Sequence, residues 1–263
     1  MQNFNYHTHT YRCEHAYGED REYVLEAIKA GYKIIGFSDH APYTNGYARG
    51  ERMHREELEN YYQDILKLKH EFKDQIEIYI GLEYEYYKTH LDDLDYYRSH
   101  FDYLINGQHD AALYTRDFYN NHTDQYILEY ANLIKEAADA GYSDIIAHPD
   151  LFMYGKESWT DACTKATKII CEAAIRNDVI LELNLNGIRY GKAQHGEEYR
   201  YPYPYRKFWE IAANYPIKCI YGLDAHLPNK FADLECYEII NEIIKGLDLN
   251  ILKEYRPKHI ISK

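Results

Sequence analysis

The sequence lacks any apolar run near the roughly 18 residues that a membrane-spanning helix needs, so no membrane span is expected. Its N-terminus carries no basic segment followed by an apolar stretch, which predicts no signal peptide. Cysteine is sparse and odd in number. The five residues Cys13, Cys163, Cys171, Cys219 and Cys236 are scattered, which argues against a disulfide framework and predicts reduced thiols in a cytoplasmic protein. No Pro-, Gly- or Ser-rich linker divides the chain, so residues 1–263 are expected to form one domain. Positive charge is also short: 30 Lys and Arg face 43 Asp and Glu, a net charge of −13. A surface of that sign repels a phosphate backbone, and no basic stripe interrupts it, so no nucleic-acid partner is expected. An anionic small substrate would be disfavoured too, unless metal ions or local basic residues reverse the field inside a site.

What is present suits an α/β enzyme. The hydrophobic fraction of 46% and charged fraction of 28% are ordinary for a globular chain, and 263 residues are enough to bury a full core. The 31 tyrosines are read as amphipathic filler of core and surface. Seven apolar runs have strand character: Asn5–Thr10, Lys33–His40, Ile76–Glu85, Tyr103–His109, Asp144–His148, Val179–Asn186 and Lys218–His226. Helical spacing is expected over Arg21–Ala30, Arg55–Phe72, Leu91–Phe101, Asp124–Ala140, Thr160–Arg176, Tyr205–Ala213 and Asp233–Ile244, with Thr123 as an N-cap and Gly31 and Gly141 as stops. Ala30-Gly31-Tyr32 and Ala140-Gly141-Tyr142 echo one another ahead of two strands, as if one unit were reused. The seven repeated strand–helix units predict an α/β barrel related to the TIM barrel, with long loops at Ala41–His54 and Ile188–Pro204. The tail from Asp248 is assigned no element.

In such a barrel the carboxyl ends of the strands share one face, and that face carries the chemistry. Here six of the seven strands end in a histidine or a carboxylate. His7 and His9 project together, being two apart on a strand. Asp39 and His40, Glu83 and Glu85, His109 and Asp110, His148 and Asp150, Asn184 and Asn186, and Asp224 and His226 follow, with His15 just after the first strand. Any one of these taken alone is as well read as a satisfied core or surface residue. The set is not, because imidazoles recur at matching places on separate strands and each would need its own partner. His7, His9, His15, His40, Glu83, His109, His148, Asp224 and His226 exceed what one ion takes and match three if Glu83 bridges a pair. Zinc, manganese and iron all suit this ligand mixture. His54, His70, His90, His100, His122 and His259 fall in helices, loops or the tail and are read as ordinary; His195, in a strand-end loop, is a weak substrate contact. Cys13 is read as a small buried thiol.

At these residues the chain resembles the PHP (polymerase and histidinol phosphatase) superfamily of metal-dependent phosphoesterases, and within it the histidinol-phosphate phosphatase branch. The motifs are His7-Thr8-His9-Thr10, Cys13-Glu14-His15-Ala16, Gly36-Phe37-Ser38-Asp39-His40-Ala41-Pro42, Gly81-Leu82-Glu83-Tyr84-Glu85, Ile146-Ala147-His148-Pro149-Asp150-Leu151 and Gly222-Leu223-Asp224-Ala225-His226. The resemblance implies a distorted seven-stranded (β/α)7 barrel and three metal positions. One uses His7, His9, Glu83 and Asp224; a second shares Glu83 and adds His109 and His148; the third uses His15, His40 and His226. Gly107-Gln108-His109 departs from the small residue usual before the fourth-strand histidine. Amidohydrolases also open with His-x-His, but they often bridge two metals through a modified lysine on the fourth strand, and none stands at that end here.

The expected activity is phosphomonoester hydrolysis, with L-histidinol phosphate as the substrate and a metal-bridging hydroxide as nucleophile. Asp224 and His226 are taken as catalytic as well as ligating. Arg189 is the first choice for gripping phosphate and serving catalysis, because its fork matches two oxygens, and Lys156 is second. Arg49, Arg52 and Arg116 are weaker candidates, and Tyr43, Tyr190 and Tyr203 are available to stack on a ring. Two alternatives stand beside this reading: a PHP phosphoesterase for phosphotyrosine, a nucleotide or another small ester, and a metal-stabilised binding protein without turnover.

Overall fold

The computed structural model describes residues 2–46, 50–120 and 122–258. Arg49, His259 and the side chain of Arg116 lie outside the described residues. Along the chain come β1 (Phe4–Asn5), α1 (Asp20–Lys29), β2 (Ile34–His40), α2 (Leu58–Glu71), β3 (Glu77–Tyr84), α3 (Leu91–His100) and β4 (Tyr103–Asn106). A hairpin of β5 (Asp110–Ala112) and β6 (Thr115–Asp117) follows, then α4 (Asp124–Asp139), β7 (Ile145–Ile146), α5 (Asp161–Asn177), β8 (Ile180–Asn184) and the short α6 (Asn186–Arg189). A second hairpin, β9 (Ala193–His195) and β10 (Glu198–Arg200), leads to α7 (Arg206–Ala212), β11 (Lys218–Gly222), α8 (Leu234–Ile243) and β12 (Asn250–Ile251).

All seven predicted helices form, six within one residue of their predicted bounds and α2 starting three residues late because Arg55–Glu57 is a 3-10 turn. The Thr123 hydroxyl accepts from the Tyr126 N–H and caps α4. Gly31 and Gly141 both adopt positive φ, 86° and 81°, just past α1 and α4, which gives the sequence echo its physical cause. The two hairpins and α6 lie in loops that periodicity did not reach.

The strands form one curled parallel sheet in the order β1-β2-β3-β4-β7-β8-β11-β12. Seven correspond to the predicted runs. The eighth, β12, comes from the unassigned tail and pairs with the start of β11. Regular pairing is shorter than the apolar runs: β1 stops at Asn5, β4 at Asn106 and β7 at Ile146. In each case the next residues leave the ladder to face the barrel mouth.

The seam between β1 and β11 closes by other means. Thr8 and Ala225 make an isolated parallel bridge, with His9 N–H on Ala225 O at 2.9 Å and Ala225 N–H on His7 O at 3.2 Å. Lower down, side chains replace the ladder. The Gln2 amide donates to Tyr221 O at 2.7 Å and accepts from Tyr221 N–H at 3.0 Å. Asn5 Oδ1 accepts from Leu223 N–H at 2.8 Å while its amide donates to His7 O at 2.9 Å.

Inside the barrel an apolar plug of Phe4, Tyr6, Ile34, Tyr79, Tyr103, Ile105, Ile145, Ile180 and Ile220 fills the lower end. The Tyr103 hydroxyl crosses it to reach Phe37 O at 2.9 Å. Outside, the apolar faces of the helices cover the other side of the sheet. With the bottom plugged, polar inward positions are left at the C-terminal rim. Among the described residues no helix is long and apolar enough to cross a membrane.

The seam generates the first prediction. Asn5→Leu keeps the volume but strands the Leu223 N–H and leaves the His7 carbonyl with the Ala225 N–H alone, so it should cost about 2 kcal/mol of unfolding free energy. Urea denaturation of the two proteins measures it; a loss under about 0.5 kcal/mol would mean that the seam is held elsewhere.

Candidate metal centre

Strand geometry brings the predicted ligand groups to one place. Inward positions alternate along β3, so above Tyr79 and Gly81 stands Glu83, 1% exposed and at the centre of the mouth. Its Oε2 lies 3.4 Å from Nε2 of both His7 and His9 and 3.1 Å from His40 Nδ1. Its Oε1 lies 3.2 Å from His148 Nε2 and 3.7 Å from His109 Nε2. Asp224 Oδ1 is 3.2 Å from His9 Nε2, 3.6 Å from His7 Nε2 and 3.3 Å from His226 Nδ1. His15, His40 and His226 form a third cluster whose ligand atoms lie within 4.8 Å of one another. Thus all nine predicted side chains converge. His40 touches both the Glu83 group and the His15–His226 group, so the three sets adjoin.

The electrostatics of this cluster are those of a site short of positive charge. Burial opposes ionisation of Glu83, but His7, His109 and His40 outweigh it and hold the carboxyl well below its usual range. Asp224 behaves alike, with burial overcome by His7 and His9. Burial also works against protonation of His7, yet Glu182, Asp224 and Glu83 hold its pKa well above the imidazole value. For His9 burial is likewise outweighed, by Asp224 and Asp39, and the pKa rises to about 9. His226, by burial and the neighbouring His9, is pushed down to about 3. The carboxylates therefore favour the protonated form of His7, His9 and His109, while His40 and His226 are held toward the neutral form. A divalent cation would supply that charge with less crowding. Asp224 Oδ1 fits this: it is buried without a hydrogen-bond partner among the described residues and faces the His7 and His9 nitrogens.

Several neighbours were not singled out from sequence. Glu182, at the middle of β8, accepts from His7 Nδ1 at 2.8 Å. A carboxylate interrupting Ile180-Leu181-Glu182-Leu183 was the available signal. Gly107 and Gly222 are needed for space, since a Cβ there would overlap the carboxylates of Glu83 and Glu182. Glu85 Oε1 accepts from His109 Nδ1 at 2.8 Å, and Arg52, 2% exposed, grips Glu85 through two nitrogens at 2.9 and 3.2 Å. Asp39 takes the Thr10 hydroxyl and the Thr10 N–H. Cys13 stays a buried thiol, raised by desolvation and donating to Thr10 O at 3.2 Å.

Arg189 and Lys156 correct the sequence reading. The Arg189 guanidinium pairs with Asp233 at 3.0 Å and donates to Leu223 O at 2.6 Å, so it supports the segment before Asp224 from behind. Lys156 donates to His122 O at 3.0 Å and reaches Asp124 at 3.5 Å. Each cation is committed to a partner from a segment distant in sequence, Asp233 at the start of α8 for Arg189 and the loop before α4 for Lys156. Arg52, the weaker candidate, is nearer the mouth but neutralised by Glu85.

The cluster opens into a cavity of 280 Å³ walled by Tyr119, Tyr190, Tyr203 and Asn186, with no Arg or Lys among the described residues that line it. Beside it, sharing His15, His40, His109 and Tyr119, lies a wider annex of 520 Å³. Among the described residues its wall carries the carboxylates Glu51, Glu85, Asp110 and Asp117 and the one cation Arg52. A larger groove between the second hairpin, α7 and α8 contains none of the nine residues.

A curled parallel sheet with imidazoles and carboxylates at its C-terminal rim defines a metal-dependent hydrolase of the barrel class. A family model for the PHP domain matches residues 5–186, and the chain belongs to that family. Asp224 and His226 lie beyond the matched span but join the same cluster. The chain is 27% identical over 240 residues to the probable histidinol-phosphatase of Deinococcus radiodurans, covering 86% of this chain and 89% of that one. It is 30% identical to the histidinol-phosphatase of Bacillus subtilis over 55% of this chain and 59% of that one. The crystal structure of histidinol phosphate phosphatase from Lactococcus lactis, complexed with zinc, L-histidinol and phosphate, superposes with a TM-score of 0.73 at 21% identity, covering 99% of each chain.

Metal removal tests the cluster. Saturating zinc or manganese at a hundred times Kd should raise the stability of chelator-stripped protein by about 2.7 kcal/mol per site. Thermal melts before and after EDTA measure this; identical melts with every divalent ion tried would count against a metal centre.

Proposed function

We propose that the chain is a histidinol-phosphatase, hydrolysing L-histidinol phosphate to L-histidinol and phosphate, and that residues 1–263 act as one cytoplasmic catalytic domain. The observation that carries this is the adjacency of two unlike chambers: a dense imidazole–carboxylate cluster, and an acidic annex sharing its histidines. The first suits a phosphoryl group held by cations. The second suits a leaving group that is itself cationic, as an amino alcohol is. The curated relatives and the ligands of the Lactococcus structure point the same way.

In this reading three ions are held, one by His7, His9, Glu83 and Asp224, one by Glu83, His109 and His148, and one by His15, His40 and His226, with Asp224 and His226 also facing substrate. Divalent ions, when bound, supply positive charge to the phosphoryl oxygens and acidify a water that can attack phosphorus. The protein's part is placement. With no Arg or Lys on the cluster cavity, recognition of phosphate falls to the imidazoles and the ions. Tyr119 lies parallel to the His109 ring, with centroids 5.9 Å apart and planes at 5°, and forms the doorway between the chambers. Tyr154, Tyr190 and Tyr203 pack edge-on or tilted against one another, and Tyr190 and Tyr203 wall the cluster cavity.

Purified, metal-loaded protein should release phosphate from L-histidinol phosphate, measured against a panel of phosphotyrosine, nucleotides and sugar phosphates. Efficient cleavage of any of these with none of histidinol phosphate would reject the substrate assignment. The annex makes a finer prediction. Glu51→Gln combined with Asp117→Asn should raise KM for histidinol phosphate more than KM for phenyl phosphate, whose leaving group carries no positive charge. The difference should be about fivefold, as expected for losing about 1 kcal/mol of exposed charge pairing. Equal effects on both substrates would remove the annex from recognition.

A further inference from the structure

We infer that Glu182 is a positioning residue for the metal centre, fixing at once the tautomer of His7 and the placement of His148 and Asp224; the inference rests on the metal reading above. Glu182 is 1% exposed, in the middle of β8, on the inward face and one layer below the mouth. Its two oxygens divide the work. Oε1 lies 2.8 Å from His7 Nδ1. Oε2 accepts from His148 N–H at 3.2 Å and from the Asn184 amide at 2.8 Å. The same amide nitrogen of Asn184 reaches Asp224 Oδ2 at 3.2 Å. One carboxylate thus touches, directly or through Asn184, ligand candidates that leave three different strands.

An ionised carboxylate only accepts hydrogen bonds, so His7 Nδ1 must carry the hydrogen. That leaves Nε2, which faces His9 Nε2 at 3.0 Å and Glu83 Oε2 at 3.4 Å, as the nitrogen that would hold an ion in place of its proton. A ligating imidazole whose other N–H meets a carboxylate is also a stronger ligand. The Asn184 contact uses up Asp224 Oδ2 and leaves Oδ1, the buried oxygen without a hydrogen-bond partner, for the cation. His148 and Asp224 both sit at positive φ, 30° and 45°, a conformation that non-glycine residues hold only when their surroundings impose it. The Glu182–Asn184 pair is bonded to both. The neighbouring strand is shaped to admit the carboxylate: Gly222 stands opposite Asn184, and a Cβ at Gly222 would overlap Glu182.

Two variants test this through metal binding rather than turnover. In E182Q the shape is kept. If the amide oxygen stays on the His148 N–H, the NH2 group faces His7 Nδ1 and drives the ring hydrogen onto Nε2, blocking the ligand lone pair. In G222A the Glu182 side chain is intact but displaced by the new methyl. Zinc affinity and stoichiometry are measured by chelator competition, and ligand geometry by the visible spectrum of the cobalt-loaded protein. Circular dichroism and melting of the chelator-stripped proteins report folding, and either variant that folds is read. The expected result is a folded protein whose zinc affinity at one site is weakened about 10- to 100-fold, with an altered cobalt spectrum. Folded variants that bind as many zinc ions as wild type, with unchanged affinity and cobalt spectrum, would overturn the role of Glu182. Failure of the wild-type protein itself to bind zinc, manganese or cobalt would instead remove the metal reading and this inference with it.

Discussion

The structure depends on a buried carboxylate that has too little positive charge around it. Glu83 is sealed at the barrel mouth with five imidazoles within 3.7 Å of its oxygens, and Asp224 and Glu182 lie close behind. Burying one unpaired carboxylate costs several kcal/mol, and three in one chamber cost more. Protonated imidazoles return part of that. Burial, together with the neighbouring His9, holds other members of the same cluster, His40 and His226, toward the neutral form. The arrangement makes sense as a ligand set. It makes little sense as a core, where Val, Ile and Leu would fill the same space without electrostatic cost. The plug one layer lower, with five isoleucines from five strands and Tyr103, shows that this chain builds an ordinary barrel interior where it has no reason to do otherwise.

Barrel closure and site assembly are one event. His7 and His9 sit on the first strand, Asp224 and His226 after the last major one, and the seam between them lacks a regular ladder. Thr8 and Ala225, the residues between the ligands on each side, make the bridge. Bonding through Thr8 and Ala225 turns the flanking residues toward the mouth, which is where His7, His9, Asp224 and His226 are found. The side-chain bonds of Gln2 and Asn5 below act as substitutes for strand pairing, because β12 and Tyr255 fill the widened base. The distortion of the barrel and the location of its polar rim have the same origin.

Much of this was legible in the sequence because both signals repeat. Apolar runs ending in His, Asp or Glu mark strand ends on one face, whatever their exact bounds. The nine residues identified that way meet in the structure. What was not legible is which way a long polar side chain turns. Arg189 has the position expected of a phosphate ligand, but Asp233 lies within reach at the start of α8 and captures it. Lys156 is captured by the loop before α4. Nothing in periodicity encodes such choices between partners distant in sequence. Glu182 was missed for the opposite reason. It lies two residues before a strand end, inside an apolar run, where reading for ligands at the tips does not look. The eighth strand is two residues long and leaves no periodic trace.

On the proposed function, overall negative charge and a phosphorylated substrate are reconciled by the two kinds of acid lying in different chambers. The deep carboxylates, Glu83 and Asp224, face inward and would be neutralised by cations before a phosphoryl group arrives. Those of the annex, Glu51, Asp110 and Asp117, are farther out, where their field extends to the entrance. Desolvation and the nearby Glu85 push Asp110 up to about 7, so its charge is already strained by its neighbours. A positively charged leaving group entering the annex relieves that strain and favours the ionised form. A neutral one would not. On the proposed function, repulsion among these acids would work as a filter: it would disfavour a polyanion that cannot place all its charge on bound ions, and favour an ester that carries its own positive charge on the side away from phosphorus.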